Sequence, residues 1–469
     1  MRKTKIVCTM GPSSADKNLI KKMIQAGMNV ARFNMSHGTH ESHHQMIEMV
    51  KQAREELGTA VAIMIDTKGP EIRIRQFEKG SIELVSGQQF VLTTRKVLGN
   101  EQGVSVTVNS FNKIVKPKNI ILLNDGLISL EVVKVEGTEV YCKVLIGGTL
   151  SNNKSISLPG VDLDLEYLSD TDKKDLLFGI QEEADIFSIS FVRTERDVLD
   201  VRKFLKKHGY GDRALICSKI ENQQGVNHME EIIEASDGIM VARGDLGVEV
   251  EFEKLPYIQK QLIARCVKAS KFVITATEML ESMIHNPRPT RAEISDIANA
   301  VLDGTSAVML SGETSAGKYP LLCVETMAKV AKECESTINY DEIHDFVFTD
   351  NVSTSIGYAA CELSKSLHAK AIVVATYSGF AARCVSKCRP SCNIIACTPY
   401  KHVYNQLAIV WGTTPIMDVS HANTDSLIEN SKQRAFESKL LKKGDLIIQT
   451  ASITPGCPGS DMLLVNCVK

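Results

Sequence analysis

The sequence predicts an α/β protein organised around a (β/α)8 TIM barrel, with an inserted β-barrel lid domain and a C-terminal open α/β domain. Two observations carry this prediction. Short runs of apolar, β-branched residues alternate eight times with longer segments of helical periodicity, and the alternation is interrupted once by a stretch of short strands with turn signals. Eight alternating units favour a closed parallel barrel, in which functional sites lie at the carboxyl ends of the strands.

The predicted barrel strands extend through the first two-thirds of the chain. Each is a short apolar run that is followed, in all but one case, by a segment of helical periodicity. The runs are residues 5–10, 29–35, 60–66, 186–192, 214–220, 238–244, 272–278 and 306–312. The barrel is therefore predicted to comprise residues 1–70 and 166–344.

The interruption comes after the third strand. Residues 71–165 contain short strands of alternating polarity, such as SIELVSG and QFVLTT, separated by turn signals. A β domain inserted there would stand over the barrel mouth as a lid that excludes water during chemistry. Residues 345–469 return to βα alternation and predict the open C-terminal domain, which lacks the glycine-rich and Walker lysine loops of nucleotide sites.

Composition limits the classes of function. The 469 residues carry a formal net charge of −2, which does not suggest binding to nucleic acid or to a membrane surface. The N-terminus has neither the apolar run nor the cleavage site of a signal peptide. Many of the 13 cysteines lie in apolar runs, as reduced and packed thiols do. We therefore expect a cytoplasmic protein without nucleic-acid or membrane partners.

Charged residues stand at the ends of the fifth and sixth strands. Lys219 and Glu221 are two residues apart, so their side chains point to the same side of an extended strand. Asp245 follows the next strand. A lysine beside two carboxylates can bind an anionic substrate together with a divalent cation. A structural ion-pair network is the alternative, but the functional end of a barrel favours a site.

The second and third strands end in ARFNMSHG and IDTKGPEIR. Arg32 suits bidentate binding of a phosphate, while Asn34 and Ser36 on the same face offer neutral oxygens for a weakly charged cation. Asp66 and Thr67 add oxygens from the third strand. Turn chemistry is the alternative interpretation of both strings.

Hydroxyl groups end the seventh and eighth strands. Thr277 and Ser311 could orient a substrate or pass a proton through water, although isolated hydroxyls are often caps. Two further clusters suggest metal ligands but lack a complete ligand set, so ordinary helix positions are favoured for them. These clusters are His37, His40, His43 and His44, and Cys384, Cys388 and Cys392.

Seven strings, in chain order, resemble the pyruvate kinase family of the bacterial, K⁺-dependent type: KTKIVCTMGPSS, MNVARFNMSHG, IDTKGPEIR, SKIEN, VARGDLG, NPRPTRAEISDIANAVLDG and MLSGETSAGKYP. The resemblance covers the whole chain. It implies a phosphotransferase that moves the phosphoryl group of phosphoenolpyruvate to ADP, giving pyruvate and ATP in the last step of glycolysis. It also implies a homotetramer.

The resemblance assigns roles residue by residue. Lys219 would stabilise the phosphoryl group in transfer, and Arg32 would grip it. Glu221 and Asp245 would bind Mg²⁺ or Mn²⁺, while Thr277 would assist protonation of the enolate. The further implied contacts are Ser311 for that protonation, Gly244 for the substrate, Asn34, Ser36, Asp66 and Thr67 for K⁺, and Arg73, His37 and Lys154 for the nucleotide.

Glu71 refines the cation prediction. A glutamate at this position accompanies K⁺ dependence in the family, whereas independent members have a lysine there. We therefore expect K⁺ activation.

The C-terminal domain departs from the family pattern. Thr376, Ser378 and Gly379 match a hydroxyl-rich loop that binds effector phosphate in sugar-phosphate-activated members. Phe380 and Ala381 stand where a cation or hydroxyl is expected, and the partner loop at 450–460 has no basic residue. We expect fructose 1,6-bisphosphate to bind weakly or not at all. The sequence does not decide whether another phosphorylated allosteric effector binds instead.

Two other functions compete with this one. A Mg-dependent barrel lyase or aldolase acting on pyruvate-like enolates would share the Glu221 and Asp245 pair, but it would need neither a lid nor Arg32. A non-catalytic metabolite sensor would lack a catalytic group, and Lys219 and Thr277 are both in place.

Overall fold

A closed barrel of eight parallel strands forms the centre of the molecule. The computed structural model describes residues 1–163, 165–340, 351–419, 423–453 and 459–468. The barrel strands, numbered one to eight here, are Lys5–Thr9, Val30–Asn34, Ala62–Asp66, Ile186–Ile189, Leu215–Ile220, Gly238–Ala242, Phe272–Ala276 and Ala307–Leu310. Each lies within its predicted segment. The predicted segments mostly run too far at the carboxyl end, because polar residues there form loops.

The inward and outward faces of the strands are decided by two-residue alternation. In strand one, Ile6 and Cys8 pack against the surrounding helices, whereas Val7 belongs to the apolar cluster inside the barrel. Cys217 of strand five also belongs to the inner cluster. Because Lys219 lies two residues further along strand five, it faces the barrel interior as well.

Amphipathic helices cover the outside of the barrel. In the first, Ile20, Met23 and Ile24 are buried at helical spacing, Asp16 accepts a hydrogen bond from Leu19 N at 2.7 Å as N-cap, and Gly27 ends the helix at a φ of 125°. The helices of the barrel domain, some of them short segments after the carboxyl ends of strands, are Lys17–Ala26, His40–Glu56, Asp170–Gln181, Glu195–Lys207, Gln223–Asn227, Met229–Ala235, Arg243–Glu249, Leu255–Lys268, Arg291–Leu302, Gly312–Ser315 and Pro320–Thr337, with short 3₁₀ turns at Pro12–Ser14, Phe252–Lys254 and Glu281–Ile284.

The predicted lid is a β structure between strands three and four. Its seven-stranded sheet curls so that a bridge between Ile74 and Val106 joins the two end strands, while a separate pair of strands lies beside it. The sheet strands, in spatial order, are Ile72–Arg73, Ser155–Ser157, Ile120–Leu123, Ile128–Glu136, Glu139–Ile146, Gln89–Thr93 and Gly103–Ser105. The pair is Ser81–Leu84 with Gly148–Ser151, and Phe111–Ile114 is a short helix.

The C-terminal domain is an open five-stranded sheet with helices. Its strands, in spatial order, are Thr413–Met417, Asn393–Thr398, Ala371–Ala375, Leu446–Ala451 and the antiparallel Met462–Cys467. Its helices are Val352–Ser366, Phe380–Lys387, Lys401–Gln406 and Thr424–Glu437, with a 3₁₀ turn at Leu407–Ile409. The predicted boundary at residues 344 and 345 lies outside the described residues.

The C-terminal domain packs against the amino end of the barrel. Lys3 Nζ donates hydrogen bonds to the carbonyls of Pro390 at 2.5 Å and Ser391 at 2.7 Å, and Lys5 Nζ donates to the carbonyl of Thr413 at 2.6 Å. The C-terminal domain therefore does not cover the carboxyl end of the barrel, where the lid begins and where the predicted site lies. Among the described residues, no helix is both long enough and apolar enough to cross a membrane.

Candidate active site

Lys219 lies at the carboxyl end of strand five among three oxygen-bearing side chains. Its Nζ is 2.8 Å from Glu221 Oε1, 2.8 Å from Ser190 Oγ and 3.4 Å from Asp66 Oδ1. Burial alone would lower the pKa of Lys219, but the charges of Asp66 and Glu221 outweigh it and raise that pKa above its ordinary value. The ammonium group is therefore a fixed positive charge at this end of the barrel.

Arg32 supplies a second buried cation from strand two. Its Nε donates to Asp66 Oδ2 at 2.5 Å, and its Nη1 donates to Thr9 Oγ1 at 2.8 Å. Although burial would raise the pKa of Asp66, Arg32 and Lys219 hold it below its ordinary value. One ionised carboxylate thus holds both cations, and their combined charge exceeds that of Asp66. The arrangement suits an anion such as a phosphate.

Glu221 has the features of a metal ligand. Its Oε2 accepts a hydrogen bond from Phe191 N at 2.6 Å. Its Oε1 is buried and, among the described residues, accepts no hydrogen bond of normal geometry, although Lys219 Nζ is close. Burial, helped by the charge of Asp245, raises the pKa of Glu221 to about 8 despite Lys219. A divalent cation would reverse that effect by stabilising the carboxylate.

Asp245 stands in the first turn of the helix Arg243–Glu249 and is exposed. A buried Glu221 and an exposed Asp245, whose charges affect each other, form a hard oxygen donor set of the kind that Mg²⁺ and Mn²⁺ accept. The residues present therefore fit a divalent cation.

The four residues predicted to bind a monovalent cation come from two neighbouring strand ends. Asn34 and Asp66 are register partners, so their side chains start side by side. Asn34 Oδ1 accepts a hydrogen bond from Ser36 N at 3.1 Å, and Thr67 is buried. The structure thus brings these oxygens to one edge of the barrel, beside Arg32.

Thr277 follows strand seven in a strained backbone conformation. Its φ of 68° lies in the left-handed region, which a β-branched residue rarely adopts and which costs about 1–3 kcal/mol. Its Oγ1 accepts a hydrogen bond from Gly244 N at 2.8 Å and lies 2.6 Å from the carbonyl of Ala276. Ser311 follows strand eight, where its N–H donates to Glu313 Oε2 at 2.6 Å.

Two of the three predicted nucleotide residues belong to the lid. Arg73 Nη2 is 2.7 Å from Glu71 Oε2, and its Nη1 donates to the carbonyl of Asn153 at 2.6 Å. Lys154 is half-buried next to Asn153, whereas His37 is exposed in the loop after strand two. Burial is the main cause that raises the pKa of Glu71, against the opposing effect of Arg73.

A cleft of about 220 Å³ separates the lid from the barrel. Asp125 and Ser157 line it from the lid, while Asn222 and Asp245 line it from the barrel, and Glu71 stands where the two meet. The predicted metal ligand Asp245 and Glu71, the ion-pair partner of Arg73, therefore share one cleft, which is the usual form of a small-molecule site.

Three residues at the site were not predicted as site residues from the sequence. Ser190 lies against Lys219, Thr9 accepts a hydrogen bond from Arg32, and Arg243 holds the end of strand seven. Two-residue alternation from Val7 could have indicated Thr9. The apolar run at 186–192 places Ser190 inside a strand, but that strand ends at Ile189, so the loop position of Ser190 is not visible in the sequence.

Two of the four clustered histidines contact carboxylates of a neighbouring helix and its end. His40 Nε2 is 2.7 Å from Asp175 Oδ1, and His44 Nδ1 is 2.7 Å from Glu182 Oε1. His44, Glu48 and Glu182 are close enough to share a metal ion. Lys51 Nζ already supplies positive charge there, at 2.8 Å from Glu48 and 3.3 Å from Glu182. An ordinary helix surface therefore explains the cluster.

Two of the three clustered cysteines contact side chains of another helix. Cys388 interacts with Cys361 of the helix Val352–Ser366, whereas Cys384 Sγ accepts a hydrogen bond from Thr354 Oγ1 at 3.7 Å. All the cysteines that the structure describes are free thiols, as the sequence predicted.

The loop matched to an effector site uses its hydroxyls internally. Thr376 Oγ1 accepts a hydrogen bond from Gly379 N at 3.0 Å, and Ser378 Oγ accepts one from Phe380 N at 3.4 Å. Arg383, one turn further on, donates to the carbonyl of Ser378 at 3.4 Å, so a cation does stand beside this loop. Residues 454–458 of the partner loop lie outside the described residues.

The fold and the strand-end charges define a class: a (β/α)8 barrel enzyme that acts on anionic substrates with metal assistance. The family model "Pyruvate kinase, barrel domain" matches residues 1–324, and the family model "Pyruvate kinase, alpha/beta domain" matches residues 354–465. The chain belongs to the pyruvate kinase family.

Curated relatives agree with the family models. The chain is 45% identical over 474 residues to a pyruvate kinase of Clostridium acetobutylicum, with both chains fully covered. It is 44% identical over 469 residues to a pyruvate kinase of Staphylococcus haemolyticus, covering 99% of this chain and 80% of the relative. A pyruvate kinase of Staphylococcus aureus is 44% identical over 474 residues, covering 100% of this chain and 81% of the relative.

These findings confirm the predicted fold class, family and activity. The enzyme is a kinase of glycolysis, and the family implies phosphoenolpyruvate and ADP or ATP as its substrates. Pyruvate kinases are generally metal-dependent. The lyase, aldolase and sensor alternatives lose their support, because relatives of the same family match the chain from end to end.

Proposed function

We propose that the phosphoryl group of phosphoenolpyruvate passes to ADP at the carboxyl end of the barrel, between Lys219, Arg32 and the lid. The buried triad of Lys219, Arg32 and Asp66 carries this proposal, since it holds two cations on one carboxylate. Phosphoryl transfer asks a protein for positioning and charge neutralisation rather than for covalent chemistry. Lys219 would stabilise the phosphoryl group in transfer, while the guanidinium of Arg32 would orient it.

Glu221 and Asp245 would hold Mg²⁺ or Mn²⁺. The buried Oε1 of Glu221 supports this assignment, since among the described residues it accepts no hydrogen bond of normal geometry and has only the ammonium of Lys219 close by, at 2.8 Å. When bound, the metal would neutralise charge on the carboxylate and phosphate of the substrate. Gly244, which precedes Asp245, would contact the substrate through its backbone.

Asn34, Ser36, Asp66 and Thr67 would form the K⁺ site. Neutral amide and hydroxyl oxygens with one carboxylate suit a weakly charged cation, and the register of strands two and three supports their grouping. Glu71 puts a carboxylate rather than a lysine at this position, so that K⁺ would supply the positive charge that a lysine there would bring.

Thr277, with Ser311 and water, would assist protonation of the enolate that phosphoryl transfer leaves behind. Arg73 and Lys154 of the lid and His37 in the loop after strand two would contact the nucleotide. Closure of the lid would exclude water and strengthen the electrostatic interactions inside.

The organisation of the enzyme completes the proposal. Residues 1–70 and 166–344 would form the catalytic barrel, 71–165 the lid and 345–469 the regulatory domain. A phosphorylated effector near Thr376, Ser378 and Gly379, a homotetramer and a cytoplasmic location stay predictions.

A coupled assay tests the proposal. Pyruvate formed from phosphoenolpyruvate and ADP is reduced by lactate dehydrogenase, and the loss of NADH absorbance is followed with Mg²⁺ and K⁺ present. We expect turnover that requires ADP and stops when EDTA removes the divalent cation. Pyruvate release without ADP would contradict phosphoryl transfer, and turnover in excess EDTA would contradict the metal assignment.

A further inference from the structure

Arg243 directly precedes Gly244 and Asp245, yet its side chain is directed towards the neighbouring strand. Its Nε donates a hydrogen bond to the carbonyl of Ala276 at 3.1 Å, and its Nη2 donates to the carbonyl of Thr277 at 2.5 Å. The side chain of Arg243 is only 10% exposed. One guanidinium group therefore holds two successive backbone carbonyls where strand seven ends.

Asp296, from the helix Arg291–Leu302, holds the same guanidinium from the other side. Arg243 Nη1 lies 2.7 Å from each oxygen of its carboxylate. All three nitrogens of Arg243 are therefore engaged by acceptors in fixed directions. A lysine has no planar fork and cannot reproduce this set of contacts.

Thr277 needs this support because of its backbone conformation. Thr277 and the following Glu278 both have left-handed φ values, 68° and 55°, which residues with a side chain adopt only when their surroundings impose them. The dipeptide Arg243–Gly244 attaches to Thr277 twice: Arg243 binds its carbonyl, and Gly244 N donates to its Oγ1 at 2.8 Å. The hydroxyl of Thr277 is thus tied to the chain segment that carries Asp245.

We propose that Arg243 is a positioning residue for the proton-transfer half of the reaction, and that Asp296 orients it. This proposal rests on the proposed function, in which Thr277 assists protonation. Phosphoryl transfer breaks the bond between the enol oxygen and phosphorus, forms a new P–O bond to the terminal phosphate of ADP and leaves the enolate of pyruvate. A water molecule beside Thr277 then gives a proton to the methylene carbon of the enolate, so that a C–H bond forms as an O–H bond of the water breaks and hydroxide is left. Arg243 acts on this second step by holding Thr277 in place.

The proton step can be measured by itself. In D₂O, bound pyruvate loses a methyl proton to form the enolate and takes up a deuteron in return, so proton NMR of the methyl group follows exchange in the presence of ATP, Mg²⁺ and K⁺. We expect Arg243→Lys to slow exchange by about 10- to 100-fold, as displacement of a reacting group does. The KM for phosphoenolpyruvate should stay within about threefold, because ground-state binding is not affected. Asp296→Asn should cause a smaller loss with the same pattern.

A matched control is available at the other end of the barrel. Arg202 Nη2 donates to the carbonyl of Ala235 at 2.9 Å and to Asp237 Oδ2 at 3.0 Å, so this arginine also joins a carbonyl to a carboxylate. Arg202→Lys should leave the ratio of exchange to turnover unchanged. If Arg243 had a purely structural role, Arg243→Lys would lower exchange and turnover by the same factor. The ratio of exchange to turnover would then be unchanged in this variant as well.

The double variant of Arg243→Lys with Thr277→Ala should exchange no more slowly than Thr277→Ala alone, because both changes remove the same function. Suppose that Thr277→Ala exchanges slowly but Arg243→Lys exchanges as fast as the Arg202→Lys control. That result would overturn this proposal and leave the proposed function intact. A wild type that neither exchanges nor forms pyruvate would overturn both. If Arg243→Lys does not fold, normal exchange in Asp296→Asn would overturn the proposal.

Discussion

The two ends of the barrel interior each bury a lysine, and the surroundings affect the two lysines in opposite ways. Lys219, at the carboxyl end, has Asp66 and Glu221 beside it, and their charges raise its pKa in spite of burial. Lys5, at the amino end, donates to a backbone carbonyl of the C-terminal domain, and burial lowers its pKa to about 7. The same residue type is thus a permanent cation at one end and an amine that can lose its proton near pH 7 at the other.

Carboxylate partners, rather than depth, make the difference. Glu335 is the acid near Lys5, but its two oxygens accept hydrogen bonds from Lys3 N at 2.7 Å and Thr4 N at 2.6 Å. Its charge only partly offsets the cost of burying Lys5. A junction between domains can contain an amine that titrates near pH 7, whereas a site for phosphoryl transfer needs a cation that does not lose its proton.

Replacing Lys219 should have the largest effect. Lys219→Met should lower kcat by about 10³-fold or more, as loss of a transition-state cation does in phosphoryl transfer. Nucleotide binding, measured by calorimetry, should change little. The matched variant Lys5→Met should keep near-normal turnover in the coupled assay. Similar losses in the two variants would remove the distinction between the two ends.

Loss of the proposed metal ligand should rank second. Glu221→Gln keeps the shape of the side chain but removes its charge, so the Mg²⁺ concentration for half-maximal activity should rise at least about 10- to 100-fold, the range seen even for outer-shell partners of metal ligands. A Mg²⁺ titration of the coupled assay measures this shift. An unchanged titration curve would show that Glu221 does not bind the metal.

Glu71 should control the response to K⁺. Wild-type turnover should depend on K⁺, and Glu71→Lys should restore activity in K⁺-free buffer because its ammonium replaces the missing charge. Turnover is compared in buffers that contain either K⁺ or tetramethylammonium. Equal wild-type turnover in the two buffers would contradict the proposed cation site.

Lys5 should make stability depend on pH. Its pKa is about 7 in the folded protein, against an ordinary value of 10.5 for an exposed lysine, so the unfolded chain binds more protons between these values and stability should rise with pH across that window. Lys3, with a pKa lowered by burial to about 8, acts in the same direction. Lys5→Met should reduce the rise in Tm between pH 7 and pH 9 in thermal unfolding. A variant with an unchanged slope would show that Lys5 stays charged.

Fructose 1,6-bisphosphate should have the smallest effect. Phe380 and Ala381 add no donor side chain beside the hydroxyls of Thr376 and Ser378, whose oxygens accept hydrogen bonds from backbone N–H groups of their own loop, so the loop offers few groups that could donate to a ligand phosphate. The saturation curve for phosphoenolpyruvate should not move when this ligand is added. A clear shift to lower substrate concentrations would contradict the expectation and direct attention to Arg383.

Much of the fold was predictable because its signals are local. Each barrel strand is a compact apolar run, and two-residue alternation was enough to place Lys219 and Glu221 on one side of a strand. Loop conformations after the strands were not predictable in the same way. The left-handed backbones of Phe191 and Thr277 direct an N–H to Glu221 and a hydroxyl to Gly244, and no periodicity encodes them.

Contacts between residues far apart in the chain were also not predicted from the sequence. Arg243 was visible in VARGDLG, but its acceptors lie on strand seven and on a helix that begins 48 residues later in the chain. Only the closed barrel brings them together.

The most direct test of the contrast between the two ends is the titration of both lysines in one protein. Lysine labelled with ¹³C at Cε gives an NMR signal that shifts when the amine loses its proton, and Lys5→Arg and Lys219→Arg variants assign the two signals. We expect the Lys5 signal to titrate near pH 7 and the Lys219 signal to stay in its charged position through pH 10. A Lys219 signal that titrates near neutral pH, or a Lys5 signal that does not, would contradict the account.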